Sequence, residues 1–208
     1  MIETERLRLR AWRERDRAPY HAIKSNPRVM ATLGPPQTRA ESDATLDRWI
    51  ARAGEWGHSF WAMERRADGV LLGYCGLVYP PAGTPVSGER EIGWGLGAAH
   101  WGQSYAREAA AATLAWGWAE TDSARIVAIT TPGNSRSWGL MERLGMTRLA
   151  DGDFDHPALA KGNPLRPHLS YAIGRPQVPG SRAESDAMPA ASRSASAAAR
   201  VRSASSAG

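Results

Sequence analysis

Leu7 and Leu9 alternate with Arg6, Arg8 and Arg10 at the start of the chain, and this period of two over residues 6–12 predicts a half-buried strand. The spacing then becomes helical. Residues 16–25 read as a helix that Asn26-Pro27 stops, and residues 38–54 as a second. In the second, Leu46, Trp49, Ile50 and Ala53 recur every three or four positions and form one apolar face. Residues 59–64 and 70–78 read as strands joined by a turn at Ala67-Asp68-Gly69, a hairpin signal. A Pro- and Gly-rich loop over 80–88 precedes a strand at 91–96, a helix at 106–121 and a β-branched strand at 125–131. A helix over 135–144 with Gly145 as its C-cap and a strand over 168–173 complete the pattern. The order β-α-α-β-β-β-α-β-α-β predicts a mixed α/β layer fold over residues 1–176. Residues 177–208 are mostly Ala, Ser and Arg with almost no large apolar side chains, a composition that predicts a disordered tail.

Composition narrows the function classes. A chain of 208 residues with 42% apolar content can bury one sizeable core. Its single cysteine, Cys75, allows no internal disulfide and suits a reducing cytosol; in its apolar strand it reads as a small buried hydrophobe. The N-terminus is charged from the outset and no run approaches the ~20 apolar residues of a membrane helix, so a cytoplasmic protein without membrane attachment is expected. The five histidines form no metal-type pair, so no metal is expected. The net charge of +5 comes from basic residues spread along the chain and interleaved with acids. No nucleic-acid partner is expected from that distribution, whereas a phosphate-rich cofactor accommodates it.

Two strand-to-helix junctions carry the candidate chemistry. The first follows Leu96 through Trp101-Gly102-Gln103-Ser104-Tyr105-Ala106-Arg107 into a helix. Unpaired backbone N–H groups and the helix dipole make such a junction a cradle for a diphosphate. Gly102 and Ala106 leave room for close approach of a ligand, although glycines in a tight turn give the same pattern. The second junction, Asn134-Ser135-Arg136-Ser137, lies one helix and one strand later. Asn134 is equally readable as a plain helix N-cap and Ser137 as an ordinary first-turn residue.

Together these segments resemble the cofactor motifs of GCN5-related N-acetyltransferases (GNAT), closest to the branch of ribosomal-protein N-terminal acetyltransferases. The residues that carry the resemblance are Glu91-Ile92-Gly93 with Leu96, then Trp101-Gly102, Tyr105-Ala106 and Glu108-Ala109, then Asn134, Ser137 and Glu142 to Met146. Their order and spacing match over about fifty residues. The resemblance implies a central, mostly antiparallel mixed sheet flanked by helices. It also implies an acetyl-CoA-dependent acyltransferase that moves an acetyl group to a primary amine, on a protein N-terminus or a small molecule, by direct attack. Acetyl-CoA and the amine are the implied partners of a monomer or homodimer. A non-catalytic acyl-CoA-binding module on the same fold is the alternative.

Carried onto this chain, Leu96, Trp101 to Arg107, Asn134 and Ser137 are the implied cofactor residues. A backbone N–H near the end of the 91–96 strand is the implied oxyanion donor. Ser137 is the candidate partner of the departing sulfur. Glu91 is the candidate base through water, against the plainer reading of an exposed strand residue paired with an arginine. Asp155 beside His156 is the competing base pair. Ser104 stands where the branch usually has glycine; it keeps its backbone N–H but adds a Cβ and, at positive φ, strain.

Overall fold

The computed structural model describes residues 1–177; the tail assigned above to residues 177–208 therefore lies, but for its first residue, outside the described residues. The strands are β1 (Ile2–Glu3), β2 (Leu7–Arg10), β3 (Phe60–Arg65), β4 (Leu71–Val78), β5 (Arg90–Leu96), β6 (Arg125–Thr130), β7 (Thr147–Arg148), β8 (Phe154–Asp155) and β9 (Pro167–Gly174). The helices are α1 (Arg17–Lys24), α2 (Pro27–Met30), α3 (Arg39–Trp56), α4 (Tyr105–Glu120) and α5 (Ser135–Arg143). The sheet runs β1-β2-β3-β4-β5-β6-β9-β7, with β8 on β9. Every pairing is antiparallel except β5 with β6.

The mixed, mostly antiparallel sheet is the expected one, with three local differences. Pro27 stops α1, but Asn26 accepts from the Arg28 N–H at 2.9 Å and starts the one-turn helix α2, for which proline at the first position is well suited. The strands β1, β7 and β8 are two residues each, too short to show a period. Residues 11 and 12 leave the first strand, because the Trp12 indole turns to donate to the Phe60 carbonyl at 2.8 Å.

The two faces of the sheet bury separate cores. Leu7, Leu9, Met63, Leu77, Ile92, Leu96, Ile126 and Ala128 pack with Ala109, Ala110 and Leu114 of α4 and Met141 of α5. The opposite face carries Ala62 and Tyr74 against Tyr20 and Ile23 of α1 and Leu46 and Trp49 of α3. Helix α3 begins with a capping box, in which the Thr38 hydroxyl accepts from the Glu41 N–H and the Glu41 carboxylate accepts from the Thr38 N–H. The loop from β2 into α1 is held by a buried charge cluster. Arg10 donates to Asp16 at 2.6 and 2.9 Å and to Glu64 at 2.8 Å, with all three side chains enclosed. Cys75 is buried as expected, its Sγ 3.4 Å from the Thr113 hydroxyl, and desolvation pushes its thiol up to about 12.

Candidate active site

The site is founded on the parallel strands β5 and β6. They are in register only at Arg90 with Ile126 and Glu91 with Val127. Beyond Glu91 the strands part, and β5 continues to Leu96 paired with β4 alone. The result is a wedge-shaped opening in mid-sheet with unpaired backbone groups along its edge, a gap that an extended ligand can fill. Its two rims differ because successive residues face opposite ways. Ile92, Trp94 and Leu96 turn to the α4 side. Glu91, Gly93 and Gly95 turn to the side of α1 and α3. There a Cβ on Gly93 would lie 2.9 Å from the Phe60 ring, and one on Gly95 2.6 Å from the Tyr74 ring. Trp94 thus belongs to the α4 side, opposite the aromatic wall. Trp56 packs edge-on against Tyr79 at 5.1 Å.

At the open end of the wedge β5 passes into the loop that precedes α4. Trp101 braces this loop by donating its indole N–H to the Leu96 carbonyl at 3.0 Å. Gly102 has φ +76° with open space around it, and Ser104 has φ +63°. Two left-handed residues so close together turn the chain sharply into the helix. The Ser104 hydroxyl does not cap α4, whose first internal bond is Glu108 N–H to the Ser104 carbonyl at 3.1 Å. The backbone N–H groups of residues 102–107 accordingly have no acceptor among the described residues. With the helix dipole behind them they fit a diphosphate. Gln103 and Arg107 reach solvent at this end, while Tyr105 is buried and Ala106 packs on the core. Glu108 fixes the cradle to the N-terminal strands: it accepts from the Thr4 hydroxyl at 2.6 Å and from the Arg6 N–H and Nε at 3.0 and 2.7 Å.

Helix α5 supplies the second rim. Asn134 sits at the N-cap, but its side chain makes no capping bond, so the plain capping reading fails. Its carbonyl accepts from the Ser137 N–H at 2.9 Å. The Ser137 hydroxyl has no protein partner among the described residues, and the residue is half-buried. Arg136, between them, lies 4.6 Å over the Trp101 ring and joins this turn to the cradle. That contact was not legible in the sequence, because its two residues are 35 positions apart in unrelated elements.

Glu91 has no arginine partner and accepts no hydrogen bond among the described residues, which removes the ion-pair reading. Desolvation alone pushes its carboxyl up to about 8, although the residue keeps some exposed surface. Burial likewise pushes the nearby Tyr74 hydroxyl up to about 12, with the charge of Glu91 among the minor causes. The competing pair is not assembled. Asp155 pairs with Arg166 at 3.0 Å and Asp153 with Arg148, and neither carboxylate accepts from a histidine. His156 instead accepts from the Ala158 N–H at 3.3 Å and packs near His168 and Phe154. Its pKa is lowered, first by burial and then by His168, so nothing here tunes it as an aspartate-supported base. Adjacency in sequence sends Asp155 and His156 in different directions because they lie on and just past a strand.

A family model described as acetyltransferase (GNAT) domain matches residues 6–147. The chain is 33% identical over 147 residues to the uncharacterized protein YkkB of Bacillus subtilis, a match that covers 70% of this chain and 84% of that one. An acetyltransferase from Agrobacterium tumefaciens is similar in structure with a TM-score of 0.67 and 27% identity, over 83% of this chain and 92% of the other. A GNAT-family acetyltransferase from Bacillus anthracis gives a TM-score of 0.68 at 27% identity, over 84% and 98%. Among the described residues no helix is long and apolar enough to cross a membrane.

Proposed function

Because the chain belongs to the GNAT acetyltransferase family, an enzyme family that transfers an acyl group from acetyl-CoA to an amine, we propose that it binds acetyl-CoA in the β5–β6 wedge and acetylates a primary amine by direct attack. The observation that carries the reading is the juxtaposition of the wedge with the unsatisfied N–H groups of residues 102–107. The spacing from Glu91 to Met146 favours the ribosomal-protein N-terminal branch.

In this reading the loop Trp101–Arg107 holds the diphosphate through backbone N–H groups, with Trp101 as its brace. Leu96 and Asn134 border the acyl arm. The amine enters from the side of Phe60 and Tyr74, where Glu91 stands. Its nitrogen attacks the thioester carbonyl carbon, the N–C bond forms and the C–S bond breaks. The ammonium proton passes to the Glu91 carboxylate through water, and the sulfur leaves as a thiolate that accepts a hydrogen bond from the Ser137 hydroxyl. A backbone N–H of β5 on the open edge stabilises the developing oxyanion. A carboxyl with a pKa near 8 is matched to an amine proton far better than an ordinary carboxylate. A leaving thiol of ordinary pKa ~8.5 needs only modest help.

The test is release of CoA thiol across a panel of N-terminal peptides, polyamines and aminoglycosides, beside the thermal shift produced by acetyl-CoA. Turnover with one class and stabilisation by acetyl-CoA support the reading. No stabilisation at saturating acetyl-CoA refutes it.

A further inference from the structure

Tyr74 carries a hydroxyl that packing does not explain. Its ring, on β4, is central to the aromatic wall on the side of α1 and α3. It meets Trp49 at 4.8 Å, Phe60 at 5.3 Å and Tyr20 at 6.2 Å. The residue is only 8% exposed, and its hydroxyl makes no hydrogen bond among the described residues. A phenylalanine makes the same ring contacts without burying an unpaired polar group, which is costly to a fold. Packing accounts for the ring and not for the hydroxyl.

Strand register brings that hydroxyl to the candidate active site. Across β4 and β5, Tyr74 is paired with Gly95 and Val78 with Glu91. Cross-strand partners and every second residue of a strand share a face, so Tyr74, Gly95, Gly93 and Glu91 lie on one side of the sheet. A Cβ on Gly95 would fall 2.7 Å from the Tyr74 Oη and 2.6 Å from its ring carbons. The hydroxyl therefore rests on the bare backbone of Gly95, in the part of β5 that has left β6 and borders the wedge. From there to Glu91 this face of β5 carries only glycine. The edge of the Phe60 ring closes over Gly93 and offers no hydrogen-bonding group. On this rim the side chains that can hydrogen-bond are thus the Tyr74 hydroxyl and the Glu91 carboxyl. The charge of Glu91 adds to burial in keeping the phenol protonated.

We propose that the Tyr74 hydroxyl is a second contact of the attacking amine, accepting one of its N–H groups while the water on Glu91 accepts the other. The inference rests on the acetyl-transfer reading and adds a substrate-positioning residue to it. A neutral primary amine has two N–H groups and one lone pair. With both N–H groups held by the wall, the lone pair is left to face the thioester in the wedge. As the N–C bond forms and the C–S bond breaks, the proton on the Glu91 side leaves through water. The N–H on Tyr74 stays with the product amide, and the phenol is neither ionised nor consumed. An N-methyl amine has a single N–H, which Glu91 must take, so it gains nothing from Tyr74.

Tyr74→Phe keeps the ring contacts and removes only the hydroxyl. Alanyl-glycine, spermidine and kanamycin are the amine probes in the thiol-release assay. The probe that the wild type turns over fastest is compared with its N-methyl derivative. The expected result is a fall in kcat/KM for the primary amine of about three- to tenfold, the size of one lost hydrogen bond. The N-methyl derivative should lose much less. Such coupling between one protein atom and one substrate atom is not produced by a purely structural role. Acetyl-CoA affinity and Tm should stay at their wild-type values. An unchanged kcat/KM, or equal losses for the two amines, overturns the proposal. A lowered Tm overturns it too, by revealing a bond of the hydroxyl within the fold. Wild-type protein that is stabilised by acetyl-CoA but releases no thiol with any probe removes the acetyl-transfer reading, and this inference with it.

Discussion

Replacing Ser104 with glycine should stabilise the ligand-free protein. Ser104 is the one non-glycine residue with positive φ among the described residues, at φ +63° and ψ +9°. Left-handed backbone costs an L-residue about 1–2 kcal/mol. The Ser104 hydroxyl does not offset this by capping α4. Glycine removes the strain but loses ~0.5–1 kcal/mol more conformational entropy on folding. The net gain is about 0.5–1 kcal/mol, which for a domain of this size raises Tm by roughly 1–4 °C. Thermal unfolding followed by circular dichroism, without acetyl-CoA, measures it. Ser104→Ala is the control, since it keeps the Cβ and the strain and removes only the hydroxyl; its Tm should not rise. A Tm for Ser104→Gly at or below that of Ser104→Ala would refute the strain argument. Acetyl-CoA affinity of the same pair then reports on the hydroxyl. A loss shared by both variants assigns it a contact with the cofactor.

Glu91→Gln should lower kcat by about 10²–10⁴-fold, the usual contribution of a positioned base. Wild-type kcat/KM should rise with pH up to about 8, as the carboxyl ionises, and that limb should vanish in the variant. Because the folded carboxyl holds its proton above its unfolded pKa, stability should fall as pH rises between the two values, and Glu91→Gln should flatten that slope in urea unfolding. Ser137→Ala should reduce kcat roughly ten- to a hundredfold, at ~1.5–3 kcal/mol, with acetyl-CoA affinity retained; an unchanged kcat would leave Ser137 as an ordinary helical serine. Asp16→Asn should destabilise by roughly 3–5 kcal/mol by leaving Arg10 short of a counter-charge in its enclosed cluster. Burial is the largest single influence and raises the Asp16 pKa, but the Arg10 hydrogen bonds, the Arg13 N–H and the charges of Arg10 and Arg15 together outweigh it, and the net value is lowered. Its contribution is therefore present above the unfolded pKa and lost as pH falls through the folded one, so acid unfolding of the wild type and loss of that acid limb in Asp16→Asn check the sign.

What the sequence determined by itself are features with a period or a local rule. Leu7 and Leu9 alternate with arginines, Leu46 and Trp49 share a helical face, and Gly145 follows α5 with φ +83°. Such features depend on neighbours within a few residues, and the major elements follow from them. The positions of the two strand-to-helix junctions were legible for the same reason, because such a loop carries its glycine and breaker signals locally. Tertiary structure alone decided what those residues face. The parting of β5 from β6 after Glu91 is a property of two strands about thirty residues apart. The unpaired state of Glu91 depends on where twenty-four arginines come to rest, and sequence adjacency misassigned Asp155, which met Arg166 rather than His156. Lys24 shows the limit most plainly. A lysine at a helix end is ordinarily a solvated charge. Only the packing of α1 against α3 leaves it enclosed, with no counter-charge paired to it among the described residues.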